Sequence, residues 1–451
     1  MQDSQQLKKL TRFIADYASM LLGSGVHCSR VIRNTRRIAS GYGLNLNMSV
    51  FATSIILTLS DKEENEMYTE VVRIPEVPVS FHLNSELSAL SWKVYDNPGM
   101  NLDELEREYK QIISRPRLRS WVVALVVALA NACFCYLLGG NFLSMPIVFG
   151  ATWLGYNILR FLKKRGMDHF IAVAAVSFVS SALASLAVFV PGATAEVAVA
   201  ASVLFMIPGV PMITGVIDLI EGHTLIGFAR IVRAFLIVVC LAVGLSVSMV
   251  IFEKGLLFGG EMAESGSLLS ETIVRGLFAA VAACGFGAVS CPSVKSFFPI
   301  AVLAALGYAL RYMLMRLVGW DIATSTLLAG LFIGFLSLPL GAWVKCPMTT
   351  LYIPALLPFV PGMYAYRAVF NIILFMQNVR EPMLAMPHLN DFFFNTIITC
   401  TVIITMTVGA SMPMFIFSRR AKSLTRHSDL HGHARFSIHG DVMRRWRRKE
   451  C

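Results

Sequence analysis

From residue 119 to residue 417 the chain repeats one pattern, in which about 20 mostly apolar residues are followed by a short interruption. A helix that crosses the hydrocarbon core of a bilayer needs about that many apolar residues. The pattern therefore predicts ten membrane-spanning helices. We place them at 119–138, 142–161, 170–190, 194–220, 231–252, 272–290, 296–315, 322–344, 348–375 and 393–417.

The first 115 residues carry shorter, amphipathic segments. Apolar residues at helical spacing predict a helix over 7–22 and a second helix over 28–40. Segments 46–59 and 67–74 are rich in Val, Ile, Thr and Tyr, and the polar run 61–65 between them predicts a β-hairpin. Two more helices are expected at 83–95 and 102–114, the latter with Asn101 as its N-cap. The order ααββαα predicts a small α/β domain.

Composition agrees with a membrane protein that has a minor soluble part. Of the 451 residues, 56% are hydrophobic and 15% are charged, and the mean hydropathy is +0.64, whereas soluble domains carry about 25% charged residues. The nine cysteines are scattered without a CxxC, and the histidines of the tail fit no standard zinc spacing (His427, His431, His433 and His439). No convincing nucleophile–base pair, phosphate loop or HExxH occurs. We expect no metal, no cofactor, no catalytic residues and no enzyme.

The net charge of +11 is distributed unevenly about the predicted spans. Basic clusters stand at 115–119, at 160–165 and in the tail from 419, whereas the loop 253–271 carries four glutamates. Because Lys and Arg mark the cytoplasmic side of membrane proteins, both termini are expected in the cytoplasm, with Arg316 and Arg380 as the exceptions to the pattern. The partners of these basic residues are then membrane lipids and not nucleic acid.

A proline-glycine pair interrupts two of the predicted spans, Pro208-Gly209 in the fourth and Pro361-Gly362 in the ninth. Proline in a helix interior removes a backbone hydrogen bond, and lipid cannot satisfy the groups that are freed. Both pairs stand 13–14 residues from the start of their spans, which is near the bilayer midplane at about 1.5 Å per residue. Matched broken spans point to a transport site; a structural kink is the alternative.

The two pairs belong to an internal repeat. The residues 154–156 (LGY) recur at 306–308, and the small-residue run around Phe134 matches that around Phe286, all with an offset of 152–153. Because five spans is an odd number, the second repeat enters the membrane from the opposite side, as in many transporters. The predicted fold is a polytopic α-helical membrane protein of about ten transmembrane helices in two five-helix inverted repeats. We divide the chain into a cytoplasmic α/β domain (1–115), two membrane repeats (116–252 and 253–418) and a basic cytoplasmic tail (419–451).

Polar side chains that follow the two breaks are the candidate substrate and coupling residues. The predicted site comprises Pro208, Gly209, Thr214, Asp218, Pro361, Gly362, Tyr364, Arg367 and Asn371. An ionisable residue inside a span is a functional hypothesis by default, so Asp218 is the candidate for proton coupling. The alternative for Asp218 is an interfacial carboxylate in water. Asn371 holds the equivalent position in the second half and cannot titrate.

Four other interpretations stay open beside these candidates. Arg367 and Arg311 could bind a carboxylate or extend their side chains to the outer interface. Thr214 and Tyr364 could line a cavity or pack between helices. We expect Asn131 to join helices rather than bind substrate. The arginines of the second helix are expected on a solvated face, with lipid headgroups as the alternative (Arg30, Arg33, Arg36 and Arg37).

Motifs along nearly the whole chain resemble one known family. They are SGVHCSR at 24–30, TRRIA at 35–39, GYGL at 41–44, Thr69 with Arg73-Ile74, IPG at 207–209, GVIDL at 215–219, GFAR at 227–230 and LPFVPG at 357–362. In this order they resemble the bacterial threonine/serine exporter family, whose two parts are separate proteins in some bacteria and are fused here. Asp218 matches an aspartate of that family.

The resemblance implies export of small hydrophilic metabolites across the inner membrane, driven by the proton motive force. Threonine and serine are the first expected cargo, and dicarboxylates such as succinate are the alternative. A passive channel, and a membrane protein with an enzymatic N-terminal domain, are the rival classes. The expected partners are the small-molecule substrate, protons and lipids; whether the chain forms a homo-oligomer is open.

Overall fold

The computed structural model describes residues 2–61, 66–115, 118–252, 267–417, 421 and 423–426. Most of the predicted turn at 61–65, most of the glutamate-bearing loop and most of the basic tail with its histidines lie outside the described residues.

The N-terminal domain consists of four helices and a three-stranded antiparallel sheet of order β1-β2-β3. Its elements are α1 (Gln2–Gly23), α2 (Cys28–Gly41), β1 (Asn45–Val50), β2 (Ser54–Ser60), β3 (Met67–Arg73), α3 (Phe81–Asp96) and α4 (Leu102–Ile113). The four predicted helices are confirmed. Asn101 caps α4 as predicted, because its side-chain oxygen accepts a hydrogen bond of 2.9 Å from the Asp103 amide.

The single strand predicted over 46–59 is wrong. The chain reverses at 51–53, and Val50 pairs with Ile55 across a tight connection closed by a bond of 2.9 Å from the Phe51 amide to the Ser54 carbonyl. The apolar and β-branched residues run through this turn without a glycine or proline to mark it. The middle strand buries Ile55 and Leu57 against the helices.

Twelve helices follow the N-terminal domain in the described chain. They are α5 (Ser120–Leu137), α6 (Ser144–Lys164), α7 (His169–Ala184), α8 (Ala195–Ser202), α9 (Gly209–Ile220), α10 (Thr224–Phe252), α11 (Leu268–Val289), α12 (Phe297–Met313), α13 (Ile322–Val344), α14 (Thr349–Leu356), α15 (Gly362–Gln377) and α16 (Pro382–Ile416).

The described helices include seven that are long and apolar enough to cross a membrane, or nine spans if each of two bent pairs counts as one. Helix α6 occupies the second predicted span, but with Asn157 and Arg160 it is not among the nine. A multi-pass membrane protein is therefore confirmed, and the count of ten stays a prediction.

The two bent pairs are the predicted breaks. The α8–α9 pair bends by 61° and the α14–α15 pair by 49°. At each break a short 3₁₀ turn leads into the proline, and both prolines have φ −78° and ψ 57°. The next glycine amide bonds the carbonyl two residues back, from Gly209 to Ile207 and from Gly362 to Val360, each at 2.8 Å. This geometry is an inverse γ-turn, and it ends one helix and starts the next.

Equivalent helices of the two halves make equivalent contacts. Helix α5 packs on α6 as α11 packs on α12, and α7 packs on α10 as α13 packs on α16. Glycines permit the second kind of contact: a Cβ at Gly244 would overlap the Ala174 carbonyl, and one at Gly409 would overlap the Leu327 carbonyl.

Each half-helix that follows a break packs into the opposite half of the protein. Val210, Ile213 and Ile217 of α9 belong to a core built mainly by α11 to α14 and α16. Met363 and Tyr366 of α15 belong to a core built mainly by α5 to α8 and α10. The two halves are therefore interlocked through α9 and α15.

We expect Gly409→Ala to destabilise the protein, because the new methyl group meets a backbone carbonyl that cannot move without separating α13 from α16. Overpacking of this kind costs about 1–3 kcal/mol of unfolding free energy. Gly150→Ala is the matched control, because a Cβ there meets nothing within 4 Å and alanine favours a helix by about 1 kcal/mol. Thermal unfolding in detergent measures both; equal midpoints for the two variants would contradict the packing.

Candidate functional site

The two breaks contact each other. A Cβ at Gly209 would lie 2.7 Å from Cδ2 of Leu357, just before the second break. A Cβ at Gly362 would lie 2.8 Å from Cδ1 of Ile207 and 3.0 Å from Cδ2 of Leu204, just before the first break. The contact is reciprocal, since each glycine admits the apolar residues that precede the other. The structure thus brings together four predicted site residues, the two Pro-Gly pairs.

An arginine lies beside the second break. The guanidinium carbon of Arg311, on α12, stands 5.6 Å from the ring centroid of Tyr308 and 5.4 Å from that of Phe359. Tyr364 lies within electrostatic range of the same guanidinium group. Within the described residues, no carboxylate forms an ion pair with Arg311. The Arg311 guanidinium group can therefore donate paired hydrogen bonds to the carboxylate of a ligand.

Two of the polar residues named from the sequence donate hydrogen bonds within the protein. The hydroxyl of Thr214 donates to the Val210 carbonyl of its own helix at 2.9 Å. The amide of Asn131 donates to Oγ1 of Thr152 at 2.7 Å and to the Ala201 carbonyl at 2.9 Å. As expected, Asn131 joins α5 to α6 and α8.

Arg367 and Asn371 lie on α15, and both have partners within the protein. The half-exposed Arg367 forms an ion pair with Glu196 of α8 at 3.3 Å. The side chain of Asn371 donates to the Arg367 carbonyl at 2.9 Å and lies 3.1 Å from Nδ1 of His388 on α16. Arg367 already has an internal carboxylate partner, which a ligand would have to replace.

Asp218 is fully buried, with 0% of its side chain exposed. One carboxylate oxygen accepts a bond of 2.8 Å from Arg230 of α10, and the other accepts a bond of 2.6 Å from the backbone amide of Cys28, the first residue of α2. Arg230 also donates to the Val26 carbonyl at 2.8 Å. A carboxylate at a helix N-terminus is stabilised by the unpaired amides and the helix dipole. The alternative of an interfacial carboxylate in water is wrong.

His27 and Ser29 extend this contact to the turn between α9 and α10. The Oγ of Ser29 lies 2.9 Å from Nε2 of His223, and Nε2 of the buried His27 lies 3.8 Å from Oε2 of Glu221. Burial, and then the nearby Arg30, hold the pKa of His27 well below its usual value of 6.5. His27 is thus neutral where the domain is docked.

The N-terminal domain also contacts the second half. The amides of Phe81 and His82, at the start of α3, donate to the carbonyls of Ser290 and Cys291 at 2.8 Å and 3.0 Å. Arg30 donates to Oγ1 of Thr349, the first residue of α14, at 3.2 Å. The domain therefore bridges the two membrane halves, which the sequence patterns did not reveal.

The expectation of a solvated arginine face on α2 is wrong for two of its four residues. Arg30 and Arg37 are 8% and 9% exposed, whereas Arg36 is exposed. The helix is covered on this side by α3 and by the start of α14. Among the described residues, no cluster of three or more His, Cys, Asp or Glu side chains is arranged to hold a metal ion.

Two family models match the chain. The model described as "Putative threonine/serine exporter" matches residues 12–252, and the model described as "Threonine/Serine exporter, ThrE" matches residues 275–416.

The chain is also similar to three curated relatives. The chain is 26% identical over 55% of its length to a "Probable succinate transporter subunit YjjP" of Klebsiella aerogenes and 27% identical over 56% to that of Escherichia coli, covering 95% and 98% of those proteins. It is 19% identical over 82% of its length to a "Probable threonine/serine exporter" of Mycobacterium tuberculosis, covering 71% of that protein. No solved structure matches the chain significantly.

We expect the folded protein, with its N-terminal domain docked, to be less stable in acid because His27 becomes protonated. Because the pKa of His27 is depressed in the folded state, the unfolded chain binds the proton more readily, so stability present above about pH 6.5 is lost as the pH falls below it. Between about pH 7.5 and about pH 5.5, the unfolding midpoint should drop further for the unmodified protein than for His27→Gln. The same drop in both would refute this assignment.

Proposed function

Because the chain belongs to the threonine/serine exporter family, we propose that it exports threonine and serine across the bacterial inner membrane, driven by the proton motive force. Family membership supports a transporter and a multi-pass membrane protein. We further propose that the protein lies in the inner membrane with both termini in the cytoplasm. Its membrane part would then consist of two repeats, at 116–252 and 253–418.

The reciprocal contact of the two breaks supports this proposal. Gly209 packs on Leu357 and Gly362 packs on Ile207, so two unwound backbone segments meet inside the protein. Broken helices present free amide and carbonyl groups to a polar cargo, and their N-termini favour a carboxylate. We propose that the two halves rock about this contact, so that cargo enters between the breaks from one side and leaves on the other.

The charges near the breaks favour an amino acid over a dicarboxylate. Arg311 is available for one carboxylate, whereas Arg367 is already paired with Glu196. A single available guanidinium group suits threonine or serine. A dicarboxylate is the alternative, because two relatives are named as succinate transporter subunits; it would require Arg367 to leave Glu196.

We propose that Asp218 couples transport to protons. Protonation would remove the ion pair with Arg230 and weaken the bond from the Cys28 amide, since charge-assisted hydrogen bonds are about twice as strong as neutral ones. Because Asp218 lies on the half-helix that begins at the first break, its release from α2 would free that half-helix to move. Proton binding and rearrangement of the break would then be one event.

We expect Arg311→Gln to raise the KM for threonine in proteoliposome counterflow by about 10-fold to 100-fold, because a hydrogen bond to a charged group contributes about 1.5–3 kcal/mol. Arg316→Gln, an exposed arginine five residues further on, is the matched control and should keep the original KM. Equal effects of the two substitutions would remove Arg311 from the site. If threonine does not exchange in the unmodified protein but succinate does, the dicarboxylate alternative replaces the amino acid.

We expect Asp218→Asn to abolish accumulation of threonine against its gradient in inside-out vesicles while counterflow continues, because asparagine still accepts the bond from Cys28 but cannot carry a proton. Asp168→Asn is the control, since Asp168 is an exposed carboxylate that caps α7. Accumulation that survives in Asp218→Asn would exclude the coupling role. Absence of accumulation in the unmodified protein would favour a passive channel.

A further inference from the structure

A polar stripe runs along one face of α2. Arg33 and Asn34 stand three and four residues after Arg30, and Arg37 stands four and three residues after them, which places the four side chains on the same side of a helix. The stripe does not face solvent, because Arg30, Asn34 and Arg37 are all buried. Helix α2 contains no acidic residue that could balance these charges within the helix.

Arg30 has only neutral partners. Its Nη1 donates to Oγ1 of Thr349 at 3.2 Å, and its Nη2 donates to Oγ of Ser88 at 3.1 Å. Its Nε is buried without a hydrogen bond in the described part of the protein, and the same holds for Nε of Arg33 and Nδ2 of Asn34. Three buried donors on one helix face thus lack an acceptor.

The carboxylates that α2 meets at this interface do not balance Arg30. Asp218 pairs with Arg230 at 2.8 Å. Glu221 lies 3.8 Å from the neutral His27 and is close enough to Arg33 to interact with its charge. Within the described residues, no ion pair joins a carboxylate to Arg30. The interface therefore holds an excess of buried positive charge.

Burial of a charge without a counter-charge is costly. Burial and the neighbouring guanidinium groups lower the pKa of Arg30 to about 9 and the pKa of Arg37 to about 10. The ring of Trp92 lies 3.7 Å from the Arg37 guanidinium carbon and gives that group a cation–π contact. Arg30 has no such contact among the described residues. An anion bound at Arg30 and Arg33 would offset the cost and satisfy both Nε donors.

We propose that the face formed by Arg30, Arg33 and Asn34, together with Ser88 and Thr349, is a second ligand site that binds a small carboxylate. The naming of the carboxylate rests on the proposed function: the ligand is the cargo amino acid, taken from the side of the membrane on which the N-terminal domain lies. The site is separate from Arg311, because it lies on α2 and α3 of the N-terminal domain and on the first residue of α14.

Thr349 connects this site to the second break. Thr349 begins α14, the half-span that leads into the second break. A carboxylate held between Arg30 and Thr349 would strengthen the contact of the N-terminal domain with that half-span. The site therefore senses cargo and sets how firmly the domain holds the second half.

The test measures equilibrium binding and thermal unfolding of the full chain in nanodiscs, with threonine, succinate, inorganic phosphate and threoninamide, which lacks the carboxylate, as probes. We expect Arg30→Gln to weaken threonine binding at this site by about tenfold or more without lowering the unfolding midpoint of the ligand-free protein, because an unbalanced buried charge is removed. Arg36→Gln, an exposed arginine of the same helix, should change neither quantity. Arg33→Gln should weaken binding in the same direction as Arg30→Gln.

Several results would overturn the proposal. A lower midpoint of Arg30→Gln with unchanged threonine affinity would make Arg30 a structural residue only. Phosphate binding as tightly as threonine would replace a cargo site by a general anion site. The Arg311→Gln variant separates the two proposals, because it should keep the α2 site while losing transport affinity; loss of binding at both sites in that variant would contradict two separate sites.

Discussion

Lipid offers no hydrogen bonds, so a helix that breaks within a membrane must have its free backbone groups enclosed by protein. In this chain each break is enclosed by the other, through Gly209 against Leu357 and Gly362 against Ile207. The half-helices that follow the breaks are inserted into opposite halves, so neither half can complete its core alone. We therefore propose that movement at one break is accompanied by movement at the other, as an alternating-access transporter requires.

The N-terminal domain contacts the helices next to both breaks through hydrogen bonds of α2. Helix α9 starts at Gly209 and carries Asp218, whose carboxylate holds the first amide of α2. Helix α14 starts at Thr349, which accepts a bond from Arg30 of the same α2. One helix of the N-terminal domain thus touches the half-spans on either side of the paired breaks. A change in charge at α2 would act on both halves together.

The sequence was most informative where a residue's own chemistry decides the structure. Pro-Gly at 208–209 and 361–362 breaks a helix whatever surrounds it, and the repeat offset placed the two breaks as a pair. Strand 46–59 was misjudged because its turn has no glycine or proline. Arg30 donates to Thr349, 319 residues away along the chain, and the Cys28 amide that bonds Asp218 is 190 residues away. Contacts at that distance have no local pattern, so the docking of α2 could not be predicted.

We propose that cargo binds between the two breaks beside Arg311. Electron cryo-microscopy of the full chain in lipid nanodiscs with saturating threonine would reveal where the cargo binds. We expect density for the amino acid between Pro208-Gly209 and Pro361-Gly362, with its carboxylate in hydrogen-bonding contact with Arg311 and with Leu357 moved away from Gly209. Threonine bound elsewhere in the membrane region, with the two breaks still packed against each other, would contradict it.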